Sequence, residues 1–173
     1  SKSSVTINLG TFIPVANNNS LLVYTSLPNG QSDAVPMNDT LYFTTKGCDS
    51  LLHGTYIVNH DTVLADILDK LLSCGVSGPV TIQLASGSYS PIMLTSEFLG
   101  TDTNKTVTFT SLAGNPDSVV FLTSNYGQPA LSLKTNHVKF DKLTFDGSSV
   151  NYYVVYFTGP CSNVEFYGCK ILS

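Results

Sequence analysis

Six carboxylates lie in the second half of the chain: Glu97, Asp102, Asp117, Asp141, Asp146 and Glu165. Paired carboxylates on neighbouring elements would suit glycosidic acid–base chemistry, one protonating and one ionised. The chain has no arginine, so a guanidinium cannot serve as base or clamp. Asp102 and Asp117 sit among turn formers, where an Asp side chain bonds its own backbone. The stretch "FDGSSVN" (145–151) superficially resembles a calcium loop. It lacks the alternating carboxylates and bidentate Glu that such a loop needs, and reads as a connection. His53, His60 and His137 are scattered, with no ligand-spaced partner. No metal or other cofactor is expected. The tyrosines are more suggestive. Tyr152, Tyr153, Tyr156 and Tyr167 cluster late in the chain, with Tyr126 ahead of them. On an exposed β surface, a tyrosine offers a flat apolar face with a polar edge, suited to stacking on a sugar; the alternative is that half of them point into a core.

The four cysteines, Cys48, Cys74, Cys161 and Cys169, show neither C-x-x-C nor zinc-finger spacing. They allow three pairings, or four buried thiols. The composition favours the first. Charged residues make up 12% of 173 residues, about half the ordinary share, and polarity comes from Ser, Thr and Asn. Such a chain suits an extracellular or cell-surface setting, where disulfides persist. The net charge of −4 argues against a nucleic-acid reader, which needs Lys and Arg to neutralise phosphates. No apolar run is long enough for a membrane span. "SKSSVTINLG" lacks the apolar core of a signal peptide, so any export signal would be already removed or encoded elsewhere. "NNS", "NDT" and "NKT" match the N-glycosylation triplet, a pattern common by chance.

These residues need elements to position them. "VTINLG", "LLVYTSLP" and "TLYFTTK" carry strand-forming residues, and "PNGQSDAVPMND" is a turn-rich loop. Residues 1–47 therefore read as a short antiparallel β region, part of a sandwich or a skirt leaning on the downstream chain. One good helix is expected over about 62–74. Val63, Ile67 and Leu71 form one row, and Leu64, Leu68 and Leu72 the next. Asp61 or Thr62 would cap its start, and Gly75 would take the left-handed turn at its end.

Beyond Val80 the chain becomes short apolar strands with an internal repeat. Val138, Phe140, Leu143 and Phe145 recur 26 residues later as Val164, Phe166, Cys169 and Ile171. Backwards, Val107 precedes Val138 by 31 residues, and Val80 precedes Val107 by 27. A second series runs Ile92, Val119, Leu143, Cys169, and a third links Ala130 to Val154. Three strands per turn of roughly 26 residues predict a parallel β-helix whose inward residues stack in columns. Strands are expected near 80–84, 107–110, 119–122, 130–133, 138–140, 143–145, 154–157 and 164–166, paired in parallel. The competing fold is an antiparallel sandwich, which would not need one register to recur. The helix would cover the apolar first coil. In this alignment Asp141 falls on Tyr167 and Asp146 on Leu172, so the carboxylates do not line up.

"GTYIV" (54–58), "LLSCGVSGPVTIQLASGSY" (71–89) and "NKTVTFTSLAGNPDSVVF" (104–121) resemble the right-handed parallel β-helix modules, of the pectate-lyase-like superfamily, in large bacterial surface and secreted proteins. The resemblance covers about residues 50–173. It implies an all-β fold: a right-handed parallel β-helix with an N-terminal capping helix. "VYTSLPNGQSDAVPMNDTLYF" (23–43) is similar to the last hairpin of an immunoglobulin-like module that often precedes such a helix. Few such modules have an assigned activity. Lyases of the superfamily use an arginine base and calcium, which this sequence does not match. The resemblance therefore implies an exported structural or adhesive module, non-enzymatic within this chain. The alternatives are part of a polysaccharide lyase or hydrolase with its active site elsewhere, or a carbohydrate-binding module using the tyrosines. Its partners would be polysaccharides or environmental glycans. The repeat stops at Ile171 in mid-coil, so further coils or a second copy are expected to cover that end. Cys48 enters the β-helix and Cys74 ends the cap helix, which makes this pair the expected disulfide. Cys169 should point inward beneath Leu143, leaving Cys161 in the preceding turn.

Overall fold

The structure is a computed structural model and describes residues 6, 8, 10, 17–24, 40–48, 50–123, 125–148 and 153–173. It is mainly β, with a single α-helix among the described residues. The chain divides into two units, Ser1–Asp49 and Ser50–Ser173. In the first, β1 (Asn17–Tyr24) pairs antiparallel with β2 (Thr40–Gly47), setting Leu21 opposite Phe43 and Val23 opposite Leu41. The expected loop at 28–39 and half of "VTINLG" lie outside the described residues.

The second unit opens with β3 (Leu52–Val58), α1 (Asp61–Ser73) and β4 (Val76–Leu84). Then come β5 (Gly87–Tyr89), β6 (Ile92–Leu94), β7 (Val107–Ser111), β8 (Val119–Leu122) and β9 (Leu131–Leu133). The last are β10 (Val138–Asp141), β11 (Thr144–Asp146), β12 (Val155–Phe157), β13 (Val164–Tyr167) and β14 (Lys170–Leu172). They form three sheets ordered β13-β10-β7-β4-β3, β14-β11-β8-β5 and β12-β9-β6. Every pairing within them is parallel. From β4 onward the chain visits the first, second and third sheet in turn and then returns to the first.

The registers are those of the repeat. Val80, Val107, Val138 and Val164 lie side by side, as do Ile82, Phe109, Phe140 and Phe166. Phe109, Phe140 and Phe166 stack face to face, with centroids 5.4 and 5.0 Å apart. In the second sheet Tyr89, Phe121, Phe145 and Ile171 form the matching column. Alternation of side chains along each strand sends these inward and their neighbours outward. The outward columns of the first sheet are Thr55–Thr81–Thr108–Lys139–Glu165 and Ile57–Gln83–Thr110–Asp141–Tyr167.

The series through Ile92 is corrected. Ile92 pairs with Leu131, and Gly87 takes the place opposite Val119. The cause is uneven loop length: residues 95–106 and 112–118 are inserted between strands, so a constant spacing selects the wrong sheet. Ala130 and Val154 precede β9 and β12, whose partners are Leu131 and Val155.

The helix runs one residue earlier than expected and turns Leu64, Ile67 and Leu71 into the core, while Leu72 is exposed. Its expected cap is also corrected. His60 is the N-cap, with no side-chain cap bond. Thr62 Oγ1 meets His60 Nδ1 at 2.6 Å. The Asp61 carboxylate instead accepts from Ser90 N–H at 3.1 Å and Ser90 Oγ at 2.7 Å. A partner far along the chain thus outcompetes the local one. At the other end Gly75 has φ +84, as expected for the left-handed turn, and its N–H reaches Lys70 O.

Candidate functional site

The corner where the second sheet passes into the third carries the most promising surface. Two loops turn this corner on successive circuits, after β8 and after β11. In the first, Thr123 is buried and donates to Gln128 O at 2.7 Å, which closes the loop on itself. Asn125 Nδ2 donates to Gln128 Oε1 at 3.1 Å. These bonds present Tyr126 outward, 84% exposed. Below the loop lies an open groove of about 570 Å³, whose lining includes Asp61, Ser90, Pro91, Leu122, Asn125 and Gln128. The Asp61–Ser90 bonds fix its far wall.

The second loop begins at Asp146, the in-register neighbour of Leu122. Asp146 Oδ1 accepts from the Ser148 N–H at 2.9 Å and from its hydroxyl at 2.6 Å. Those bonds hold the carboxyl below its usual range, the hydroxyl contributing most. This is an Asx-type turn within the connection expected at "FDGSSVN", and residues 149–152 lie outside the described residues. Tyr153 follows the loop and stacks on Tyr156 of β12, with centroids 5.8 Å apart and rings inclined by 17°. Both are exposed.

The structure thus brings three of the expected tyrosines, Tyr126, Tyr153 and Tyr156, to successive circuits of one corner. Tyr167 is exposed on β13, in the first sheet, and does not join them. Tyr152 lies outside the described residues. Sequence reasoning missed Asp61, Ser90, Asn125 and Gln128. The "NYGQ" turn was a usable signal, since it places two amides around an aromatic at a strand-to-strand corner.

Each of the other five carboxylates of the coils is also engaged. Asp102 pairs with Lys105 at 3.0 Å and accepts from Asn104 N–H, contacts that lower its pKa, the Lys105 bond most. Asp117 pairs with Lys170, Glu165 with Lys139, and Glu97 accepts from Asn136. Asp141 accepts from Thr110 Oγ1 at 3.0 Å, and its other oxygen is buried without a partner. Its in-register neighbours are Thr110 and Tyr167, so no second carboxylate stands beside it on the sheet. Among the described residues no group of His, Cys, Asp and Glu is arranged to hold a metal.

Cys48 and Cys74 are joined by a disulfide. Cys161 and Cys169 are free thiols, each half-buried against the core. Cys169 Sγ lies 3.3 Å from Phe140 O, and burial raises its pKa. No helix among the described residues is long and apolar enough to cross a membrane. No family model, no curated protein and no solved structure matches this chain.

Proposed function

We propose that residues 50–173 form a right-handed parallel β-helix, related to those of bacterial surface proteins, and that it acts as an exported, non-enzymatic surface module with a structural or adhesive role. The in-register stack carries this reading. Inward columns of Val and Phe give a continuous core, and outward columns of mostly Thr, Gln and charged residues give a largely polar surface. The three-sheet visiting order suits a helical path. Parallel strands joined by crossovers within one sheet are right-handed in about 98% of cases, which favours that hand. The Cys48–Cys74 bond suits an oxidising compartment. The carboxylates of the coils stand singly, in turns, ion pairs or hydrogen bonds to neutral side chains, which disfavours the two-carboxylate chemistry of polysaccharide hydrolases.

Two measurements test the role. Antibodies raised against the chain should label intact producing cells. Labelling that requires permeabilisation would refute the surface assignment. Incubation with neutral and acidic polysaccharides should release neither reducing ends nor unsaturated products. Release abolished by substituting a carboxylate of the chain would replace the non-enzymatic reading with the enzymatic one.

A further inference from the structure

We propose that the corner groove between Asp61 and the Asn125–Gln128 loop binds a neutral, hydroxyl-rich glycan. The proposal deepens the adhesive side of the reading above and rests on it. The groove combines the two features that sugar recognition requires. Pro91 and the exposed Leu122 offer an apolar floor to the C–H face of a pyranose ring. Hydrogen-bonding groups stand on both walls. Asp61 accepts three bonds from Ser90, from its N–H to either oxygen and from its hydroxyl. A carboxylate has about four acceptor sites, so capacity remains for a sugar hydroxyl. The Asn125–Gln128 bond uses one amide hydrogen and one carbonyl. It leaves Asn125 Oδ1 and the Gln128 amide N–H groups for a ligand. Since the Asp61–Ser90 and Asn125–Gln128 bonds exist before binding, less ordering is required when a ligand arrives.

Electrostatics selects the class of sugar. Among the described residues the groove lining contains a carboxylate and no cation, and Asp146 adds a second carboxylate on the adjacent strand. Uronates and other acidic sugars would meet like charge with no Lys to offset it. A neutral hexose chain is favoured, its vicinal hydroxyls meeting the carboxylate and amides while Tyr126 flanks its ring. The next circuit places the stacked Tyr153–Tyr156 pair farther along the same corner. A linear glycan can therefore extend along the stack and meet one aromatic group per circuit.

Isothermal titration of the whole chain with short soluble glucan, mannan and galactan oligosaccharides tests this, with polygalacturonate fragments as the acidic comparison. Saturable binding of at least one neutral class is expected. Tyr126→Ala and Gln128→Ala should each weaken it about two- to tenfold, the scale of losing one aromatic or hydrogen-bonding contact. Thr108→Ala, on the outward face of the first sheet, should leave it unchanged. In the unsubstituted chain, the side-chain amide NMR signals of Asn125 and Gln128 should shift on titration. That reading does not depend on whether a variant folds. No binding of any neutral oligosaccharide, tighter binding of the acidic fragments, or signal shifts confined to other faces would each overturn the proposal. Surface labelling of cells reads the adhesive assignment separately, so the two can fail independently.

Discussion

At the scale of single residues, backbone conformation is the firmest guide. Gly75 has φ +84, and an added Cβ there would collide with the backbone and side chain of Leu99. Gly75→Ala should therefore destabilise the chain by about 3 kcal/mol, read by denaturant titration, because strain and overpacking add. A change below about 1 kcal/mol would mean that the turn relaxes freely. Lys142 and Gly168 occupy equivalent turns 26 residues apart, with φ +52 and +58. Lys142 bears a Cβ where its counterpart does not. Lys142→Gly should stabilise by about 0.5–1 kcal/mol, despite the greater freedom glycine gains when unfolded. Tyr89 supplies a pH test. It is buried, and its one hydroxyl hydrogen is shared between Ala85 O at 2.9 Å and Val58 O at 3.2 Å. Burial first, then the nearby Asp61, raises its pKa above the ordinary 10.0. Its contribution is complete below that value and is lost as pH rises through the raised folded value. Tyr89→Phe should remove that alkaline loss while costing about 1 kcal/mol at neutral pH for the missing hydrogen bonds.

At the scale of elements, the Cys48–Cys74 bond closes a segment containing β3 and α1. Reduction under native conditions should cost about 3 kcal/mol in the chain-entropy picture, read as a lower denaturation midpoint. An unchanged midpoint would indicate that the reduced chain is already restrained there. Much of this scale was legible beforehand. The 26-residue recurrence of Val138 and Phe140 as Val164 and Phe166 reports stacking directly, because an inward column needs the same residue type at the same place in each circuit. The helix was legible from its two aliphatic rows, and Gly75 from its position after them. Three-residue strands were less so. β5, β6 and β14 are shorter than any window in which alternation can be counted, and the inserted loops hid which sheet Ile92 joins. The candidate groove was legible only through Tyr126. Asp61 reads locally as a helix cap, and its partner Ser90 lies 29 residues away, beyond any local pattern.

At the scale of the whole molecule, position in the stack should set the energy of otherwise equivalent residues. Phe140 lies between Phe109 and Phe166 and is fully buried, whereas Phe166 has one stacked neighbour and remains 37% exposed. Truncating a buried Phe costs about 3–5 kcal/mol through lost transfer energy and the cavity left behind. Phe140→Ala should fall in that range. Phe166→Ala should cost less than half as much, since part of its ring already meets water and the site can collapse from one side. The same asymmetry governs opening. Each of β12, β13 and β14 has a strand partner on one side among the described residues, whereas β9, β10 and β11 have partners on both. A stacked array opens from its least-buried circuit, because only one interface breaks there. Hydrogen exchange should therefore rank amides by circuit, with Phe166 and Ile171 exchanging well before Phe140 and Phe145. Equal protection across all circuits would instead mean that the stack opens as one cooperative unit.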